Sequence, residues 1–110
     1  MQRGELLGSL EHVVLLALAC LDGTAHGTLV RREIEARTGR DISIGAVYAT
    51  LDRLEQKGLI ASTRVAGDGG SRRVFSVTAA GTRALYETRS VRDRLWQGLD
   101  VRLVGAKSRA

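Results

Sequence analysis

The chain has 110 residues, with 17 Lys and Arg against 12 Asp and Glu, a formal net charge of +5 and a pI near 10.3. This length predicts one domain with its own buried core, and the excess of positive charge favours a polyanion as partner. A single cysteine, Cys20, excludes an internal disulfide, and its apolar neighbours predict a buried thiol in a reducing cytoplasm.

Several functional classes are excluded by what the sequence lacks. His12 and His26 have no Cys or His cluster at ligand spacing, so we expect no metal and no cofactor. The longest apolar run, Val13 to Leu21, is far shorter than the roughly 20 residues that cross a bilayer, so we expect no membrane partner. There is no GxSxG motif, no phosphate loop and no histidine paired with an acid at motif spacing, so an enzyme is not expected.

Two helices are predicted in the first 40 residues. Ser9 can cap the first, and apolar residues on most of its sides require cover from the domain, to which a second subunit could add. The second begins near Thr24 or Ala25 and stops at Gly39. The short connection from there to Ser43 predicts a steeply packed pair, as in a helix-turn-helix, although any two neighbouring helices could show this spacing.

A third helix is predicted from the cap Ser43 to Gly58. Ile44, Val47, Leu51 and Leu54 recur at steps of three and four and predict one stripe facing the core. Small residues on the opposite side let the backbone approach another molecule, which favours a DNA recognition helix. A plain amphipathic helix packed on a neighbour is the alternative. The small, hydroxyl-bearing or cationic residues of that side are Gly45, Ala46, Tyr48, Ala49, Thr50 and Arg53.

A change from helical period to alternation after Gly58 predicts a β-hairpin, with strands at 59–65 and 72–77 joined by a glycine-rich tip. Arg64 lies on one strand, and Arg72 and Arg73 lie on the other. A basic hairpin directly after a recognition helix is typical of a wing that contacts the phosphate backbone or the minor groove. Alternatively, these arginines only protect sheet edges from pairing.

The last predicted helix is capped by Thr78 and is too long for so small a domain to cover. A narrow apolar stripe suits a two-stranded seam, so we interpret residues 79–104 as a dimerisation helix and residues 105–110 as a disordered tail. Trp96 lies beside the stripe. The members of the stripe are Leu85, Thr88, Val91, Leu95, Leu99 and Leu103.

The motifs together resemble the PadR family of bacterial winged-helix transcriptional regulators. The resemblance rests on the apolar run from Leu10 to Leu21, on His26-Gly27, on TGRDISIGAVYATLDRLEQKGLI and on RRVFSVTAAG, and covers roughly residues 6 to 90. It implies a mainly α fold with a small β-hairpin: a winged helix-turn-helix domain over residues 1–78, followed by one long dimerisation helix. It also implies a homodimer that binds a palindromic operator, usually represses a nearby gene and is released by a small molecule.

The resemblance assigns the family's site residues to positions of this chain that match its motifs. This chain departs from the family at Ala49, where proline is usual, and at Thr28, where an aromatic is common, so no operator sequence carries over. The positions that match the family's recognition helix are Ser43, Gly45, Ala46, Tyr48, Ala49, Thr50 and Arg53, and those that match its wing are Arg72 and Arg73.

We expect cationic side chains to provide phosphate contacts, and Tyr48 and Thr50 to read bases or thymine methyl groups. The cations are Arg53, Lys57, Arg64, Arg72 and Arg73.

Two alternatives remain open from the sequence. Trp96 matches a position where some short family members stack an aromatic on flat hydrophobic compounds, and it could equally pack the dimer seam or the first helix. A protein-interaction module that keeps the winged-helix shape and binds an acidic protein is the alternative to a DNA-binding regulator. A sequence-selective, salt-dependent DNA complex would distinguish the two.

Overall fold

The computed structural model describes residues 7–67 and 69–99. Leu103 and residues 105–110, which the sequence interpretation assigns to the dimer stripe and the tail, lie outside the described residues. The elements of the described part are, in chain order, α1 (Ser9–Cys20), β1 (Thr24–Ala25), α2 (Gly27–Thr38), α3 (Ile44–Gln56), β2 (Ile60–Gly67), β3 (Gly70–Val77) and α4 (Ala79–Gln97).

The core lies between α1, α2, α3 and the inner face of a small antiparallel sheet. Each helix contributes residues at steps of three and four, as the sequence pattern predicts. Ile44 is an exception: it is predicted to face the core but is 40% exposed at the first position of α3. Phe75 of β3 is fully buried and closes the core from the sheet side. The helices pack pairwise, and α2 and α3 form the expected helix-turn-helix pair. The completely or almost completely buried apolar residues are Val14, Leu15, Leu18, Val30, Ile34, Val47, Leu51, Leu54, Ile60 and Phe75.

The sheet has one strand more than the sequence interpretation predicts. β2 and β3 form the expected hairpin, and β1 pairs with β3 on its other side through Thr24↔Ser76 and Ala25↔Phe75. Consequently, α2 begins at Gly27 and not at Thr24 or Ala25. A two-residue strand is too short to show alternation, and its partner lies some 50 residues away, so the local pattern gave no sign of it.

The surface of α1 also differs from expectation. Ser9 does not cap the helix: Gly8 occupies the cap position, and its N–H donates to Glu11 Oε1 at 3.1 Å. Cys20 is exposed, so its predicted burial is wrong, because it lies at the last turn, on the side away from the core. Leu16 also remains 46% exposed, which leaves part of this apolar helix without cover from the domain.

The predicted N-caps of α3 and α4 are confirmed. Ser43 Oγ accepts the N–H of Ala46 at 3.1 Å at the start of α3, and Thr78 Oγ1 accepts the N–H of Gly81 at 3.1 Å at the start of α4. No helix within the described ranges is long and apolar enough to span a bilayer.

The start of α4 rests on the start of β2 through Gly81. A Cβ at this position would lie 2.1 Å from the carbonyl oxygen of Leu59 and 3.0 Å from Val77 Cγ1. The same Leu59 carbonyl accepts the N–H of Thr78 at 3.1 Å. Since the obstacle is backbone and not a flexible side chain, only glycine permits this contact.

We predict that Gly81→Ala lowers the free energy of unfolding by about 2 kcal/mol, because the helix must move away from β2 to make room for the methyl group. Urea denaturation followed by circular dichroism measures the change. Gly98→Ala is the control, since the nearest atoms to its added Cβ lie 3.8 Å away. Equal stability of Gly81→Ala and the wild type would contradict the packing described here.

Candidate nucleic-acid interface

The outward face of α3 is small at its beginning and polar at its end. Gly45, Ala49, Asp52 and Gln56 are all exposed and are spaced so that they lie along one side of the helix. A Cβ built on Gly45 meets nothing within 4 Å, so the first turns of α3 present open backbone. The Ser43 cap precedes this surface, and the free N–H groups and positive dipole end of a helix N-terminus suit an anion.

Thr50 does not belong to this face, and its predicted contact with bases is wrong. The residue is fully buried, and its Oγ1 donates to the carbonyl of Ala46 at 2.8 Å and accepts from Arg53 Nη2 at 3.1 Å. The helical period places position 50 beside Val47 and Leu54 on the core side. A threonine can occupy this buried position because the helix backbone satisfies its hydroxyl.

Tyr48 lies at the border between the core and the outward face. Its ring is half-buried and packs on Phe75, with ring centroids 6.1 Å apart. A Cβ on Gly27 would lie 2.6 Å from Tyr48 Cζ, so the ring covers the first turn of α2 closely. The structure gives Tyr48 a packing role that the sequence interpretation did not include, and base reading by its hydroxyl stays a prediction.

Arg73 is not an exposed wing cation, contrary to expectation, but an internal link between β3 and α3. Its guanidinium lies 2.8 Å from Asp52 Oδ1 and 2.6 Å from Glu55 Oε1, and its Nε donates to Ser62 Oγ at 3.2 Å. The same group stacks over the ring of Phe75, 4.6 Å from the centroid. Because these contacts hold the Arg73 guanidinium within the fold, Arg73 no longer belongs to the predicted phosphate contacts.

Glu55 completes this link from the side of α3. Its carboxylate accepts both the backbone N–H and the hydroxyl of Ser62 on β2, at 3.1 Å and 2.8 Å. The hydrogen bonds from Ser62, and then those from Arg73, lower the pKa of the Glu55 carboxyl despite the opposing effect of burial. The carboxylate therefore stays ionised at neutral pH and connects α3 to both strands of the hairpin.

The end of α3 is held against α1 in a similar way. Lys57 Nζ lies 2.9 Å from Glu11 Oε2, and the hydrogen bond from Lys57 is the main cause that lowers the pKa of the Glu11 carboxyl. Lys57 is thus engaged within the fold, which reduces its expected role as a phosphate contact. Arg53, one turn earlier, is exposed.

The exposed cations predicted for the hairpin are Arg64 on β2 and Arg72 on β3. Arg64 pairs with Arg73 in the strand register, whereas Arg72 pairs with Val65, so the two side chains leave opposite faces of the hairpin. Arg64 Nη1 donates to Ser71 Oγ at 3.3 Å. Arg53 is a third predicted phosphate contact that the structure leaves exposed, whereas Lys57 is exposed but pairs with Glu11.

The sequence interpretation missed three residues near this surface. Asp52 and Gln56 share the outward face of α3, and their spacing of seven and eleven from Gly45 is the signal that could have identified them. His26 precedes α2 on the side of Arg72; burial lowers the pKa of its imidazole, and Arg72 adds to the effect. No group of metal ligands occurs among the residues the structure describes.

A second surface lies between α1 and α4. Leu85 packs on the chain's own core and Thr88 is buried, where its Oγ1 accepts the N–H of Leu7 at 3.2 Å. The first half of the predicted dimer stripe is therefore covered by the chain itself, because α4 runs along α1. Leu95, by contrast, is 70% exposed, and Leu99 follows the end of α4 and is not part of its helical stripe.

The α1–α4 groove has a volume of about 570 Å³ and an apolar floor. His12, Leu16, Leu85 and Trp96 are among its lining residues, and Trp96 is 63% exposed. His12 Nδ1 lies 2.9 Å from Arg92 Nη1, which links the two walls. Because Trp96 is largely uncovered, packing against this chain's own first helix does not account for it.

We predict that Arg73→Gln lowers the free energy of unfolding by about 1 to 2 kcal/mol, because Asp52, Glu55 and Ser62 lose a shared partner. Arg72→Gln removes the same charge from the neighbouring strand position and is expected to change stability by no more than about 0.5 kcal/mol. Urea denaturation of the two variants makes the comparison. Equal losses in both would show that the Arg73 contacts contribute no stability.

The comparisons with known proteins agree with this architecture. The Transcriptional regulator PadR-like family model matches residues 15–87. Over 74 residues the chain is 40% identical to the Transcriptional regulator Rv3488 of Mycobacterium tuberculosis, an alignment that covers 67% of this chain and 68% of that protein.

Two solved structures are similar in fold. A PadR family transcriptional regulator from Eggerthella lenta is 30% identical with a TM-score of 0.68, over 81% of this chain and 80% of that one. A PadR-like transcription factor from Bacteroides fragilis reaches a TM-score of 0.72 at 21% identity, over 81% and 84% of the two chains. The family match, the relative and the shared winged-helix fold show that this chain belongs to the PadR-like family of transcriptional regulators.

Proposed function

We propose that this chain is a sequence-specific regulator that binds double-stranded DNA as a homodimer on a palindromic operator and represses a nearby gene in the cytoplasm. The outward face of α3 carries the proposal, because open backbone at Gly45 and small side chains after a capped N-terminus allow close approach to base edges. The family assignment supports the same proposal of a DNA-binding regulator.

Each winged-helix domain of the dimer would contact DNA in two places. α3 enters the major groove with the side that holds Gly45 and Ala49, and the hairpin lies along the adjacent backbone. Arg53, Arg64 and Arg72 supply phosphate contacts. Each phosphate that they neutralise makes the decrease of log affinity with log salt concentration steeper by about 0.9. The links from Arg73 and Glu55 fix the angle between helix and hairpin, so both meet one duplex together.

The uncovered apolar side of α4 supports a homodimer. Leu95 and Trp96 are 70% and 63% exposed, and Leu16 and Tyr86 of the same region are also exposed. A single soluble domain rarely leaves such a contiguous apolar area in water. A second copy would cover it and place the two α3 helices in successive major grooves, about 34 Å apart.

The α1–α4 groove is the proposed ligand site. Its apolar floor and the largely uncovered indole of Trp96 fit a flat hydrophobic molecule better than a charged one. Since the groove shares Leu16, Tyr86 and Trp96 with the proposed dimer surface, such a ligand would lie between the two copies, change the distance between their winged-helix domains and so release the operator.

We predict that Gly45→Leu weakens binding to the selected operator by at least tenfold, because the side chain fills the space through which the backbone approaches the groove. Sites selected from random DNA provide the duplex, and fluorescence anisotropy measures the affinity. Stability should stay within about 0.5 kcal/mol of wild type, since the new side chain meets only solvent. Ala36→Leu is the control, as Ala36 is exposed near the end of α2.

If the selection yields no preferred sequence, the DNA-binding proposal is wrong, and the acidic-protein alternative becomes the better one. Equal affinity of Gly45→Leu and the control variant would instead remove the outward face of α3 from the interface.

We predict that the wild type sediments as a dimer in analytical ultracentrifugation and that Leu95→Glu shifts it to the monomer, because a charge would be buried in the seam. Ala79→Glu adds the same charge to an exposed position in the first turn of α4 and should leave the dimer intact. A monomeric wild type, or a dimer that tolerates Leu95→Glu, would contradict the proposed seam.

A further inference from the structure

Asp52 is an acidic residue in the middle of a surface proposed to meet DNA. It lies on the outward face of α3, seven residues after Gly45 and three after Ala49, and its side chain is 52% exposed. Gly45 and Ala49 carry no side-chain hydrogen-bonding group. Within the described residues, the polar side chains along this line of the helix are therefore those of Asp52 and Gln56.

Arg73 holds the Asp52 carboxylate in a defined orientation. The contact joins Arg73 Nη1 to Oδ1 at 2.8 Å, and the guanidinium is itself fixed by Glu55 and by the ring of Phe75. The structure describes no protein donor to the second oxygen, Oδ2, which leaves one acceptor available on the exposed side. The nearby positive charge also reduces the repulsion between this carboxylate and DNA phosphates.

An oriented carboxylate selects a particular base edge. It can only accept hydrogen bonds, so it requires an amino group in the major groove, and it is repelled by N7 and O6 of guanine and by O4 of thymine. Adenine offers an amino group beside the N7 acceptor, whereas the N4 amino group of cytosine has no acceptor next to it on the same base. Cytosine is consequently the base that fits best.

We propose that Asp52 determines specificity by accepting a hydrogen bond from the N4 amino group of a cytosine in each half-site, with Arg73 as its positioning residue. This inference rests on the proposed function, since it requires α3 to enter the major groove. It gives the Arg73 link a second role beyond stability, because the link orients the acceptor that reads the base.

Random-site selection with the wild type, Asp52→Asn and Asp52→Ala tests the proposal. The wild type should enrich cytosine at one position of each half-site, by roughly fivefold to a hundredfold over the other bases. Asp52→Asn should shift that position towards adenine, because an amide both donates and accepts and matches N7 with N6. Asp52→Ala should lose preference there alone, while its affinity for nonspecific DNA stays equal or rises.

Glu87→Gln is the charge control, since Glu87 is an exposed acid of α4 far along the chain from α3. Like Asp52→Ala, it should leave the affinity for nonspecific DNA equal or higher, but it should change no base preference. A wild type that enriches no site at all would refute the proposed function itself. Clear enrichment with the same preference in all three proteins, or a uniform loss across positions in both Asp52 variants, would leave Asp52 as a structural partner of Arg73 and overturn the inference.

Discussion

The fold depends on the link that Arg73 makes between the hairpin and α3. A guanidinium presents donors in a fixed planar arrangement, and here they meet two carboxylates and a hydroxyl while the face of the group stacks on Phe75. The contact joins α3 to both strands of the hairpin and so fixes how these three consecutive elements pack on one another. Exposed ion pairs usually contribute little, but a shared and partly buried network with hydrogen bonds on several sides contributes more.

Part of the positive charge predicted to contact phosphates is paired with acidic residues of the chain itself. A net charge of +5 suggests a surface of free cations, yet two of the five predicted phosphate contacts, Lys57 and Arg73, are engaged with Glu11, Asp52 and Glu55. Of the five, Arg53 on α3 and Arg64 and Arg72 on the hairpin are exposed and lie outside these ion pairs. Under the proposed function, affinity is expected from these three arginines, and discrimination from the small residues and Asp52 on the outward face of α3.

Local signals in the sequence predicted local structure well and tertiary partners poorly. The caps at Ser43 and Thr78 were predictable because each involves a backbone N–H three residues away. β1 was not, since its pairing with Ser76 and Phe75 leaves no periodicity in two residues. The burial of Thr50 could not be predicted from its hydroxyl, because a helix satisfies such a group within its own turn and so allows it to face the core.

The glycine contact at the start of α4 has a mechanical consequence. Gly81 brings the helix against the Leu59 carbonyl with no side chain between them, and that carbonyl lies just after α3 and at the entry to the hairpin. The start of α4 is therefore anchored at the point where α3 and the hairpin meet. A rotation of α4 would therefore act directly on the backbone that joins α3 to the hairpin, because no side chain lies between them to absorb the movement.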